Sequence, residues 1–187
     1  MKTIHLRDGA TVVVRPIAEA DADRLRRMFD RLSPTTVYRR FFSPIVRPRE
    51  SVLHHLATVD HDHRDALVAL DGDEIVGVAR YDGTKTPHQA EIAITVEDAW
   101  QHRGVGSVLL RMLTKRARAH GYDHFFASML ADNRPALSLL HQLAPGAQVS
   151  LDSGAYEATI DLTRSVPSVT SAGARGPVGK AVHEPQA

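Results

Sequence analysis

Two adjoining stretches decide the reading of this chain: Ala90-Glu91-Ile92-Ala93-Ile94-Thr95-Val96, and Gln101-His102-Arg103-Gly104-Val105-Gly106-Ser107. The first reads as a strand. After the second, Val105, Val108, Leu109, Met112, Leu113 and Ala117 mark the apolar stripe of a long helix. Two glycines between a strand and a helix let backbone N–H groups close around an anion. The helix start adds free N–H donors and the positive end of its dipole. The N–H groups of Arg103, Gly104, Val105, Gly106 and Ser107 are therefore expected to cradle a pyrophosphate, with Arg103 adding charge. The spacing is not that of a nucleotide fold, because no G-x-G-x-x-G is present and no Gly-Lys-Ser/Thr ends the loop. An ordinary glycine-rich helix start is the bland alternative; the strand before and the helix after argue against it.

Working outward, residues 10–15 read as a strand after the Asp8-Gly9 turn, ended by Pro16. Residues 21–32 carry Leu25, Met28, Phe29 and Leu32 at helical spacing, and Ser33-Pro34 stops them. Shorter helices are expected over 36–42 and 49–58. Residues 66–70 and 75–81 flank Asp71-Gly72-Asp73-Glu74 as a hairpin. Gly121 closes the long helix. Residues 124–130 read as a strand and 135–143 as a helix that Asn133 caps. A last hairpin is expected over 149–151 and 155–162. From Ser165 to Ala187 Ser, Gly, Pro and Ala dominate and periodicity ends, so a disordered tail is expected there. Consecutive antiparallel strands in the middle exclude simple Rossmann winding.

Composition bounds the function. A chain of 187 residues suits one domain with a core. Its 23 basic and 22 acidic side chains leave a net charge of +1, too little for a general nucleic-acid coat. The absence of cysteine excludes disulfides, Cys–zinc sites and thiol nucleophiles. No apolar run has the length of a membrane span and no apolar signal core is seen, so a cytoplasmic protein without membrane contact is expected. Oligomeric state is not readable.

The hexamer 101–106 resembles the acetyl-CoA-binding signature of the GNAT superfamily of N-acetyltransferases, Gln/Arg-x-x-Gly-x-Gly/Ala, with Gln101, Gly104 and Gly106 at the defining positions. The order of elements over residues 10–163 is similar to that fold. It implies an α/β domain, residues 1–164, with a mixed, mostly antiparallel sheet flanked by helices. Residues 6–17, 31–34 and 40–42 look narrower still: they are similar to the acetyltransferase domain of bacterial protein lysine acetyltransferases. Some of those carry an added cyclic-nucleotide domain, for which 187 residues leave no room.

The resemblance implies acetyl-CoA as co-substrate and no metal. It implies that the strand through Ile94 and Val96 splays from its neighbour and bonds the pantetheine arm through its backbone. Acetyl-CoA is then expected between this strand and residues 124–130. A backbone N–H, Val96 being the choice, holds the oxyanion. Glu91 matches the family's general base in an Ala-Glu-Ile-like segment. A carboxylate in an apolar strand is also expected to be desolvated, which makes it a better base. The alternative for Glu91 is a strand-edge residue facing solvent. Asn133 matches a residue that contacts the cofactor, and a plain N-cap is nearly as good a reading. The family often places a Tyr acid seven residues later; here that position is Leu140, with His141 and Ser138 nearby.

The acceptor implied is a protein lysine. A small-molecule amine is the alternative within the enzyme class, and a non-catalytic acyl-CoA-binding regulatory module is the alternative outside it. His54, His55, His61 and His63 with Asp60 and Asp62 match no zinc template and read as a polar connection. Arg24, Arg26, Arg27, Arg31, Arg39 and Arg40 read as a solvated face, with an acidic docking partner as the sharper alternative.

Overall fold

The computed structural model describes residues 1–42 and 48–163. The tail expected from residue 165 lies outside the described residues. Strand β1 (Lys2–His5) forms a hairpin with β2 (Thr11–Pro16) through a turn in which Gly9 takes a φ of 88°. A Cβ clashes with the backbone in that region, and glycine, which has none, enters it easily. Strand β1 is an element the sequence reading lacks; it is four residues long and mostly exposed, so no apolar pattern announces it.

The chain then runs through α1 (Ala22–Arg31), α2 (Pro34–Phe41), α3 (Glu50–Ala57), β3 (Arg64–Asp71), β4 (Glu74–Gly83) and β5 (Gln89–Val96). It continues through α4 (Val105–Ala119), β6 (His124–Leu130), α5 (Arg134–Leu143), β7 (Gln148–Asp152) and β8 (Ala155–Asp161). All eight strands form one sheet in the order β1-β2-β3-β4-β5-β6-β8-β7. Every pairing is antiparallel except β5–β6. The mostly antiparallel mixed sheet is the one expected.

Helices cover both faces. On one, Leu109, Leu113 and Ala117 of α4 pack on Leu67, Ala69, Ala79 and Phe125. On the other, Leu25, Met28 and Phe29 of α1 and Leu53 of α3 pack on Ala66, Val68 and Ile75. Strand β3 is therefore buried on both sides, which explains its unbroken run Ala66-Leu67-Val68-Ala69-Leu70. Each such leucine contributes about 1.5–3 kcal/mol by leaving water.

Helix α2 is held at its start. Ser33 caps it by accepting the Thr36 N–H (3.2 Å), and Pro34 takes the first turn, where no N–H is needed. The Asp98 carboxylate, just past β5, accepts from the Ser33 N–H (2.9 Å), Ser33 Oγ (2.8 Å) and Thr36 Oγ1 (2.8 Å). This ties the start of α2 to the segment that follows the C-terminal end of β5.

Candidate active site

Strands β5 and β6 pair only through Gln89–His124, Ala90–Phe125 and Glu91–Phe126. Beyond them β5 stays on β4 as far as Val96, and β6 stays on β8 as far as Leu130. The two parallel strands thus part after three residues, and a wedge opens toward their C-terminal ends.

The backbone along one wall of this wedge has no strand partner. The Glu97 N–H donates to Val76 O at 2.9 Å, so the opposed pair Gly77–Val96 is of the non-hydrogen-bonded type. The N–H and C=O of Val96 then point away from β4, into the wedge. Alternation gives Ile94 the same orientation two residues earlier. The Val96 carbonyl is taken by Gln101, whose Nε2 donates to it at 3.1 Å and to Thr36 Oγ1 at 3.3 Å. Gln101 braces the open strand and ties it to α2, a role its place in the glycine signature does not reveal.

Helix α4 starts at the mouth of the wedge. Gly104 is its N-cap, with φ 98° and no side-chain cap, and the first helical bond runs from the Val108 N–H to Gly104 O. The N–H groups of Val105, Gly106 and Ser107 therefore have no partner in the helix. A Cβ built on Gly106 would meet Leu139 Cδ2 at 3.4 Å, Ile94 Cδ1 at 3.5 Å and Val96 Cγ2 at 3.7 Å. Gly106 thus faces the wall formed by Ile94 and Val96. Arg103 is placed differently from the expectation: its guanidinium binds the Asp8 carboxylate and stacks on Trp100 at 4.1 Å. Asp8 is held below the usual carboxylate range by that hydrogen bond. Asn133 caps α5 beside the other wall by accepting the Ala136 N–H at 3.3 Å.

Glu91 sits where the strands part. Odd-numbered Glu91, Ala93 and Thr95 share the sheet face covered by α1–α3, and Ile92, Ile94 and Val96 face the other side. Glu91 is exposed, which corrects the expected desolvation: its face lies beyond the cover of the helices. Directly across on β4 is Asp82, which accepts from Arg64 Nε (2.7 Å) and Arg80 Nε (3.2 Å).

Residues 26–144 match the family model described as the acetyltransferase (GNAT) family. The chain belongs to the GNAT acetyltransferases. It is 36% identical over 133 residues to acetyltransferase PA5475 of Pseudomonas aeruginosa, covering 69% of this chain and 72% of that protein. It is 30% identical over 145 residues to acetyltransferase Pat of Mycolicibacterium smegmatis, covering 75% of this chain and 43% of that one. The structure of the GNAT domain of S. lividans PAT superposes with a TM-score of 0.80 at 32% identity, covering 86% of this chain and 96% of that domain.

Leu140 stands where the resemblance implies a Tyr. It is buried and lines an apolar cavity of about 220 Å³ with Leu110, Phe125, Leu143 and Ile160. That cavity is the larger of the two described. It lies between α4, α5 and β8 and holds none of the groups of the wedge. Ser138 and His141 are exposed on α5.

The histidines are dispersed. His61 bonds Asp65 (2.8 Å), His120 bonds Asp62 (3.0 Å), and among the described residues no three metal-ligating side chains converge. Among the described residues no helix is long and apolar enough to cross a membrane. Most of the basic stretch is neutralised within the molecule. Arg24 and Arg27 bind Asp73, Arg27 and Arg31 bind Glu74, Arg31 also binds Glu97, and Arg26 lies between Asp23 and Asp30. Arg39 reaches Asp132.

Proposed function

We propose that the wedge binds acetyl-CoA and that this GNAT enzyme moves its acetyl group to an amine, foremost a protein lysine. One observation carries the reading: the edge of β5 that has no strand partner, with the N–H of Val96 and the backbone of Ile94 turned into the wedge, stands beside the uncapped start of α4. A pantetheine arm offers amide donors and acceptors that match a bare strand edge. A pyrophosphate matches the N–H groups of Val105, Gly106 and Ser107 and the positive end of the helix. Arg103, committed to Asp8 and Trp100, contributes its backbone N–H; Asn133 flanks the arm.

Bound acetyl-CoA supplies an activated acetyl group. The residues of the chain do the rest. Glu91 accepts the proton of the acceptor ammonium, directly or through water, and its exposed position leaves it open to both. The amine then attacks without any enzyme nucleophile, consistent with a chain that has no cysteine. The Val96 N–H, aimed into the wedge, is placed to hold the oxygen that gains charge. With Leu140 in the core, solvent is the source of the proton for the departing thiolate.

A protein lysine is supported by the likeness to Pat and to the PAT domain. The buried Leu140 favours the second reading, a non-catalytic acyl-CoA-binding module. Incubation with acetyl-CoA, a panel of small amines, lysine peptides and cell protein separates the readings. Release of free CoA with lysine acetylation is expected. Binding without turnover on any amine supports the module, and turnover confined to small amines replaces the protein acceptor.

A further inference from the structure

Helix α2 is tied to the ends of both strands that form the wedge, and one side of the helix makes both ties. Val37 and Phe41 turn to the core, where Val37 is buried and the Phe41 ring lies 5.6 Å from that of Phe29. Thr36 and Arg39 are neighbours at i and i+3, on another side of the helix. Thr36 Oγ1 donates to Asp98 (2.8 Å) and accepts from Gln101 Nε2 (3.3 Å), both in the segment that follows β5. Arg39 Nη2 donates to the main-chain carbonyl of Asp132 at 3.2 Å, in the turn that follows β6. A single turn of helix thus links the segments beyond the two strands that part.

The turn after β6 is tight, and Arg39 grips its centre. The Asn133 N–H donates to Leu130 O (2.9 Å), and the Arg134 N–H donates to Asp132 O (2.8 Å). The Asp132 carbonyl therefore receives Arg134 and Arg39 together. The next residue is Asn133, whose side chain caps α5. Among the described residues, every hydrogen bond or ion pair between α2 and this turn is made by Arg39. The Asp132 carboxylate is the lesser partner: it is 75% exposed and lies 3.8 Å from Nη2, and an exposed pair of that kind adds little.

Holding this bridge leaves a donor unused. Arg39 Nε is buried and has no hydrogen-bond partner among the described residues. A solvated arginine on a helix surface would turn that N–H to water. A buried donor left bare is costly and calls for an explanation. The reach of Nη2 to the Asp132 carbonyl supplies one, because it fixes the side chain between helix and turn.

We propose that Arg39 is a positioning residue that sets the opening of the wedge. It holds the turn after β6 against α2, while Asp98 and Gln101 anchor α2 to the end of β5. The spacing of the two walls, and with it the fit of a pantetheine arm and the place of Asn133, then depends on one side chain. Arg39 acts through the turn and not on the reacting atoms. This rests on the reading of the wedge as the acetyl-CoA site.

The test compares the full-length wild type with Arg39→Met, Arg39→Lys and Asp132→Asn. Calorimetric titration gives the Kd of acetyl-CoA. Hydrogen exchange read by NMR follows the amides of residues 131–134. Initial rates with the fastest amine of the panel above give kcat and KM. Arg39→Met keeps bulk but no donor. It should raise Kd and KM for acetyl-CoA about tenfold, the scale of one hydrogen bond from a charged group. Its kcat at saturating acetyl-CoA should stay within about twofold, and exchange in the turn should quicken. Arg39→Lys keeps a charged donor and should recover part of the loss. Asp132→Asn keeps the main-chain carbonyl and should match the wild type. Thermal melts confirm that the variants fold. Unchanged affinity and exchange in Arg39→Met overturn the inference. So does an equal loss in Asp132→Asn, which would make the contact an ordinary surface ion pair. A fall in kcat at unchanged KM also overturns it, since Arg39 would then act in the chemistry. Each of these leaves the proposed function standing. If no amine turns over, affinity and exchange decide alone. If the wild type binds no acetyl-CoA, the proposed function falls and the inference with it.

Discussion

Glu91 falls in the strand expected of it, and of the two environments weighed for it, desolvated or facing solvent, the fold gives the second. Its position in an apolar strand suggested burial. On the folded sheet its face lies at the open end, and the side chain is exposed. If Glu91 is the base, Glu91→Gln should lower kcat about 10²-fold near pH 7 with little change in acetyl-CoA affinity. The loss should narrow at alkaline pH, where more acceptor amine is already neutral; wild-type turnover in the mutant would reassign the base. Gln101 was legible as part of a signature, but its side-chain partners were not. They are a carbonyl five residues back and a hydroxyl in α2, and only the fold brings these together. Gln101→Ala should cost about 1 kcal/mol, read as a lower urea midpoint at constant slope. It should also weaken acetyl-CoA binding by loosening the strand edge.

At the scale of elements, the strands and helices with strong apolar periodicity were readable to within a residue or two. What escaped has a physical reason in each case. Strand β1 has little to bury. The divergence of β5 from β6 is an absence of pairing, and no local pattern encodes it. The charge pairs that tie α1 to β4 join residues more than 40 positions apart, so pairing with acids was readable but the particular partners were not. The two glycines of the α4 start differ in what they require, and this can be measured. Gly104 has φ 98°, so Gly104→Ala should destabilise by about 1 kcal/mol or more. Gly106 has helical geometry with only ordinary contacts around an added Cβ, so Gly106→Ala should stabilise by about 0.5–1 kcal/mol. Thermal melts of the two variants should therefore move in opposite directions.

At the scale of the molecule, one sheet holds helices on both faces, and two carboxylates, Asp21 buried and Asp98 exposed, tie the helical layer to it. For Asp21, burial alone would raise the pKa, but hydrogen bonds from Arg15 (2.6 and 2.7 Å) and the Ala18 N–H (2.9 Å) outweigh it and lower the value. Burial likewise opposes, and the bonds from Ser33 and Thr36 outweigh, in lowering Asp98. A carboxyl depressed in the fold binds protons more readily when unfolded. Its stabilisation is present above the unfolded value, near 3.9, and is lost as pH falls through the folded one. Urea unfolding should show stability falling from about pH 4 downward, with a shallower fall in Asp98→Asn. The central claim, that acetyl-CoA lies in the wedge against the start of α4, is tested most directly by calorimetric titration of acetyl-CoA into the wild type and Gly106→Glu. A glutamate there favours the helix dipole but fills the phosphate position with like charge. Saturable binding at one site per chain is expected in the wild type and none in the variant, with the fold of the variant intact by circular dichroism. Equal binding by both proteins would contradict the claim.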